Sequence, residues 1–165
     1  FGIVEAANYN TPGQIVISGA TRAVEKACEI AKELGAARAI LLPVSAPFHS
    51  SMLVPAGEKL AMELENLSFN ELEIPVIANA TADYYPGVDK IRELLIKQVS
   101  NSVLWEDTVV RMIEDGVDIF IEIGPKKTLS QFIKRIARDR KVKVSIYNVE
   151  DRKSLESTIE EVKAK

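Results

Sequence analysis

Ile119-Phe120-Ile121-Glu122-Ile123-Gly124-Pro125 is the stretch on which the fold turns: five residues of strand character closed by a Gly-Pro break. Beyond it, Leu129, Phe132, Ile133 and Ile136 recur at the spacing of an amphipathic helix, and Val142 to Tyr147 returns to strand character. Strand, helix, strand in that order calls for a crossover connection and a parallel pair. Upstream, Trp105, Val109, Met112 and Ile113 mark a helix that Gly116 can close, and downstream Leu155, Ile159 and Val162 mark a terminal helix with a polar face. This alternation predicts an α/β domain with a largely parallel sheet, whose ligands are expected beyond the carboxyl ends of its strands. Trp105 and the Met residues follow helical stripes and are expected in the core.

Working back toward the start, Ile91, Leu94, Leu95 and Val99 form another stripe. Gln98 lies on that same apolar face, where a polar residue calls for a partner. Ile74 to Asn79 reads as a strand with Pro75 at its start, and Asp83 to Asp89 as loop. Leu53, Ala56, Leu60, Leu64 and Leu67 predict a helix. Ala39 to Val44 reads as a strand feeding the loop Pro43-Val44-Ser45-Ala46-Pro47-Phe48-His49-Ser50-Ser51. Val24, Ala27, Cys28, Ala31 and Leu34 predict a helix with Thr21 as N-cap and Gly35 as its C′ stop, which turns Cys28 toward a core. Gly2 to Asn8 and Gln14 to Ser18 are β-rich runs. Pro12 and Gly13 fit a type II turn across Thr11 to Gln14, and hence a hairpin.

The chain has 165 residues, 47% hydrophobic and 27% charged, enough to bury roughly two thirds of its unfolded surface without disulfides or metal. One Cys and one His leave no intramolecular disulfide and no set of zinc ligands, so neither a metal nor a cofactor is expected. No apolar run reaches the roughly 20 residues that span a bilayer, and the formal charge of −3 argues against nucleic acid as a partner. The expected setting is cytoplasmic, away from membranes. Phe1-Gly2-Ile3 opens without Met inside a strand-like run, which suggests a piece of a longer polypeptide.

His49 is the candidate for chemistry. It sits on a loop stiffened by two prolines, between a predicted strand and a predicted helix, and an imidazole can exchange a proton near neutral pH. Position and chemistry alone also accommodate a loop histidine with no role. Asn8 and Asn10 flank the hairpin turn, where turn formation and ligand binding both draw on Asn. From Lys126 to Lys143 eight basic residues, among them Lys134, Arg135 and Arg138, face one acid, Asp139. That segment is +7 and leaves −10 for the rest of a chain whose total is −3. It suits either a solvated helix face or a dock for an acidic partner.

Three stretches carry a more specific signal: Asn8-Tyr9-Asn10-Thr11-Pro12-Gly13-Gln14-Ile15-Val16-Ile17-Ser18-Gly19, Leu42-Pro43-Val44-Ser45-Ala46-Pro47-Phe48-His49-Ser50, and Ile121-Glu122-Ile123-Gly124-Pro125. In order and spacing they resemble the malonyl-CoA:acyl carrier protein transacylase family, from about Val4 to the final helix. The resemblance implies an α/β-hydrolase-like domain carrying a ferredoxin-like subdomain. Here residues 1–44 would be an incomplete ferredoxin-like part and 45–165 the C-terminal part of the acyltransferase domain. It implies a serine acyl-enzyme that passes malonyl from coenzyme A to the phosphopantetheine thiol of acyl carrier protein, with His49 matching the general base and Gln98 the residue whose backbone carbonyl holds the imidazole. It also implies that Asn8 and Asn10 face coenzyme A or the pantetheine arm and that Phe48 narrows the acyl site toward malonyl; the charge of the segment with Lys134, Arg135 and Arg138 would then steer an acidic carrier protein or the phosphates of coenzyme A toward the cleft.

The family's Gly-x-Ser-x-Gly elbow is absent from these 165 residues, and Ser18, Ser45, Ser50 and Ser51 lie in other contexts. The family's carboxylate-reading Arg and oxyanion loop likewise find no match. The expectation is a chain that carries the base half of a site, inactive alone and completed by an N-terminal portion of the same enzyme. Two other readings stay open on the residues: a non-catalytic α/β interaction module that docks an acidic partner, and a serine hydrolase of similar fold.

Overall fold

A computed structural model describes residues 1–164. The chain packs as two compact units: the first comprises Phe1–Asn10 and Gln14–Trp105, the second Thr11–Gly13 and the chain from Glu106 on. No helix among the described residues is long and apolar enough to cross a membrane.

The first unit opens with the hairpin β1 (Val4–Thr11) and β2 (Gln14–Gly19). Gly13 has φ +73°, as the second central residue of a type II turn requires. Helix α1 (Thr21–Glu33) follows, but its N-cap is Ala20: Ala23 N and Val24 N both donate to the Ala20 carbonyl, so Thr21 is already helical and does not cap. Of α1 only Ala23 is buried, and Cys28 is half-buried, not sealed in a core.

A 3₁₀ turn (Ser51–Leu53) leads into α2 (Val54–Glu65), with Pro55 in its first turn, where a missing N–H costs nothing. Helix α2 packs on α3 (Val88–Ser100), burying Leu64, Ile91 and Leu94. Between them lies a short antiparallel pair, β3 (Ile77–Ala78) and β4 (Asp83–Tyr84).

The second unit holds α4 (Trp105–Glu114, whose first residue belongs to the first unit), then β5 (Ile119–Ile123), α5 (Thr128–Asp139), β6 (Ser145–Val149) and α6 (Arg152–Lys163). Strands β5 and β6 are parallel in the register Ile119 to Ser145 through Ile123 to Val149. This is the strand–helix–strand unit expected from the Ile119 stretch. Its core is Val109, Phe120, Ile133, Ile136 and Ala137, with Val109 and Ile136 fully buried.

Three predicted strands differ. Residues 39–44 pair with no other strand among the described residues, and Ile40, Leu41, Leu42 and Val44 stay exposed. Apolar composition alone does not make a strand; a ladder partner is needed. Of Ile74 to Asn79 only Ile77 and Ala78 are paired. The strand read at Val142 to Tyr147 starts instead at Ser145, because Lys141 and Val142 are used to close α5. Among the described residues the sheet content is thus one parallel pair and two further two-stranded pieces, less than a largely parallel sheet.

Candidate active site

The loop before the 3₁₀ turn folds tightly. Phe48 N donates to the Ala46 carbonyl at 2.9 Å, the Ser50 hydroxyl donates to the Pro47 carbonyl at 2.7 Å, and Leu53 N donates to the Ser50 carbonyl at 2.9 Å. Ser50 is fully buried, so its hydroxyl needs that acceptor. Between these fasteners His49 adopts φ +57°, a left-handed conformation uncommon for a residue with a Cβ.

His49 Nδ1 lies 3.0 Å from the backbone oxygen of Gln98. Gln98 is in the last turn of α3, where helical carbonyls lack intrahelical donors. A carbonyl only accepts, so Nδ1 carries the hydrogen, and in the neutral ring the lone pair is on Nε2. Gln98 therefore meets its partner through its backbone oxygen, and its half-buried side chain is not the group engaged.

The ring borders an open cavity of about 350 Å³, whose walls include Glu5, Ala6, Ser51, Asn101 and Ser102. Strand β1 is tied to this wall. Tyr9 N donates to the Val103 carbonyl at 2.9 Å, Val103 N to the Ala7 carbonyl at 2.8 Å, and the Ser102 hydroxyl to the Ala6 carbonyl at 2.6 Å. The Glu5 carboxylate accepts from Ser51 N at 2.6 Å and from the Ser51 hydroxyl at 2.9 Å. The arrangement is a held imidazole, its other nitrogen without a hydrogen-bond partner among the described residues, beside a polar, solvent-reachable space, and such a ring can take a proton from a hydroxyl or thiol brought into that space.

Of the residues singled out in the sequence, the structure brings His49 and Gln98 together. Phe48 is adjacent but half exposed, and Asn8 and Asn10 lie along β1; none of these three lines the cavity. Lys134, Arg135 and Arg138 share the exposed face of α5, with Ile133, Ile136 and Ala137 buried beneath. Glu5 and Ser102 were not singled out. The one signal available for Glu5 is that it is the sole acid before Glu25, set in a run of Val, Ala and Asn.

Residues 2–161 match the family described as the acyl transferase domain. The malonyl CoA-acyl carrier protein transacylase of Bacillus subtilis (strain 168) is 43% identical over 161 residues, which is 98% of this chain and 50% of that protein. The crystal structure of malonyl CoA-acyl carrier protein transacylase from Clostridium perfringens ATCC 13124 superposes with TM-score 0.93 at 54% identity, covering 99% of this chain and 50% of that one. A malonyl-transacylase solved in complex with its type II PKS acyl-carrier protein superposes with TM-score 0.92 at 38% identity, covering 97% of this chain and 50% of that one. The chain thus spans about half the length of the curated relatives it matches. Matched over nearly its full length, it belongs to the acyl transferase domain family.

Proposed function

We propose that this chain supplies the general-base half of a malonyl-CoA:acyl carrier protein transacylase. The observation that carries the reading is the His49 Nδ1–H bond to the Gln98 carbonyl, which leaves Nε2 as the free base beside a cavity. In the proposed reaction a serine on a separate Gly-x-Ser-x-Gly segment gives its proton to Nε2 as its oxygen attacks the malonyl thioester. The proton then passes from Nε2 to the departing coenzyme A sulfur. In the second half Nε2 takes the proton of the carrier protein's pantetheine thiol, whose sulfur attacks the acyl-serine, and returns it to the serine oxygen. The carbonyl-rich C-terminus of α3 suits a ring that is transiently positive.

The finer assignments belong to the same proposal. Phe48 limits the room beside the malonyl α-carbon. Asn8 and Asn10, which alternate with buried Ala7 and Thr11 on β1, hydrogen-bond coenzyme A or the pantetheine arm. The exposed basic face of α5 receives the acidic carrier protein. The hairpin and α1 within residues 1–44 form the ferredoxin-like part, and residues 45–165 the α/β-hydrolase-like part.

The test is reconstitution: this chain, mixed with an N-terminal segment carrying the serine elbow, is assayed for malonyl transfer from malonyl-CoA to the pantetheine thiol of acyl carrier protein. Transfer is expected from the mixture and not from this chain alone, with His49→Ala lowering it by about 10²- to 10⁴-fold. Full activity of the chain alone, or a His49→Ala mixture as active as the unsubstituted one, overturns the reading.

A further inference from the structure

Two side chains hold the loop around His49, and one of them comes from a distant strand. The 3₁₀ turn that begins at Ser51 has Ser50 at its N-cap, but the Ser50 hydroxyl is committed to Pro47 and provides no cap. The N–H of Ser51 is left to find another acceptor. It finds the carboxylate of Glu5, 46 residues earlier on β1, which also accepts the Ser51 hydroxyl, one oxygen to each donor. Hydrogen bonds to an ionised carboxylate are shorter and stronger than neutral ones, and two in parallel fix direction as well as distance. Among the described residues no Lys or Arg forms an ion pair with Glu5, so the carboxylate is committed to this loop. It also shares the cavity wall with His49.

We propose that Glu5 is a positioning residue for His49: through Ser51 it holds the loop in the left-handed turn that keeps Nδ1 on the Gln98 carbonyl and Nε2 directed at the cavity. This deepens the reading of His49 as the base and rests on it. The physical need is visible at the backbone. The left-handed φ +57° of His49 costs backbone energy, and the bonds within the loop, from the Ser50 hydroxyl to the Pro47 carbonyl across His49 and from Leu53 N to the Ser50 carbonyl, tie the loop only to itself, whereas Glu5 anchors it to another strand. A relaxed loop would swing the imidazole off a carbonyl that belongs to a separate helix.

The chain contains one histidine, so the imidazole ¹⁵N signals of the full chain report His49 alone. In the unsubstituted chain they are expected to show a hydrogen on Nδ1. In Glu5→Ala that Nδ1–H signal is expected to be lost, and exchange of the Ser51 amide hydrogen to accelerate at least tenfold, while amide protection in α2 and α3 is unchanged. Glu5→Gln, which keeps a carbonyl oxygen for one of the two donors, is expected to recover most of the signal. The proposal is overturned if Glu5→Ala leaves the Nδ1–H signal and Ser51 exchange as they were, or changes them only in step with protection across α2 and α3. Should Glu5→Ala fail to fold, Glu5→Gln decides by the same two readouts: a partly reduced Nδ1–H signal with faster Ser51 exchange supports the proposal, and both unchanged from the unsubstituted chain overturn it. Failure of the base reading shows separately, as transfer by the reconstituted enzyme that survives His49→Ala.

Discussion

Glu122 illustrates how one side chain joins two elements. It lies inside β5, yet its carboxylate accepts from Leu129 N at 3.0 Å, from Ser130 N at 2.8 Å and from the Ser130 hydroxyl. Helix α5 has Lys127 at its N-cap with no side-chain cap of its own, so Glu122 satisfies donors that the helix start leaves open. Burial pushes this carboxyl up, but the hydrogen bonds from Ser130 and Leu129 outweigh it and hold the group below its ordinary value of 4.5. Because the folded value is depressed, the stabilisation is present above the unfolded value and is lost as pH falls through the folded one. The urea midpoint of the unsubstituted chain is therefore expected to fall more steeply between pH 6 and pH 3 than that of Glu122→Gln. At pH 7 the substitution is expected to cost about 1 kcal/mol, the usual worth of a helix cap. Parallel pH profiles would show that Glu122 does not act this way.

At the scale of elements, three helices end in the same motif. In α1 the C′ residue is Gly35 at φ +94°, with Gly35 N donating to the Lys32 carbonyl and Ala36 N to the Ala31 carbonyl. In α4 the C′ residue is Gly116 at φ +89°, with Gly116 N to Ile113 and Val117 N to Met112. Helix α5 makes the same pair of bonds, Lys141 N to Arg138 and Val142 N to Ala137, but places Lys141 at the left-handed position, φ +56°. This is the Schellman arrangement, for which Gly is the usual C′ residue because it has no Cβ to clash. Lys141→Gly is expected to raise the stability of the chain by about 0.5–1 kcal/mol, measured by urea denaturation. A neutral or negative change would mean that the lysine stem contributes packing that offsets its backbone strain. Both glycine stops were readable in the sequence. The third was not, because nothing in a lysine announces a positive φ.

Across the whole molecule, charge and apolar surface are unevenly distributed. The segment from Lys126 to Lys143 is +7 in a chain of −3, and Lys134, Arg135 and Arg138 are exposed on α5. The double reversal Arg135→Glu with Arg138→Glu is expected to raise the Kd for acyl carrier protein at least tenfold at low salt. The difference should narrow toward 1 M salt, where the screening length is about 3 Å. Titration calorimetry at the two salt concentrations checks this, and unchanged binding at low salt would overturn the proposed docking role. Apolar surface is also left open. Ile121 and Ile123 on β5 are exposed, Ile123 at 83%, although a parallel strand ordinarily has both faces covered. The unpaired segment from Ile40 to Val44 exposes four more large apolar side chains.

The sequence by itself determined the local elements and the candidate base. Helical stripes, Gly stops, the Pro12-Gly13 turn and the strand–helix–strand order of the second half are near-neighbour properties, set by backbone sterics and by the 3.6- and 2-residue periods. A single histidine on a proline-braced loop, together with the three motif stretches, directed attention to His49 and Gln98. Only the tertiary structure decided which apolar runs become strands, since a ladder needs a partner whose position is not encoded nearby: Ala39 to Val44 has the composition of a strand and finds no partner among the described residues. It alone closed the His49 ring on the Gln98 carbonyl and brought Glu5, from the start of the chain, onto Ser51. Contacts 46 and 49 residues apart depend on how whole elements dock, and no periodicity in the chain carries that information.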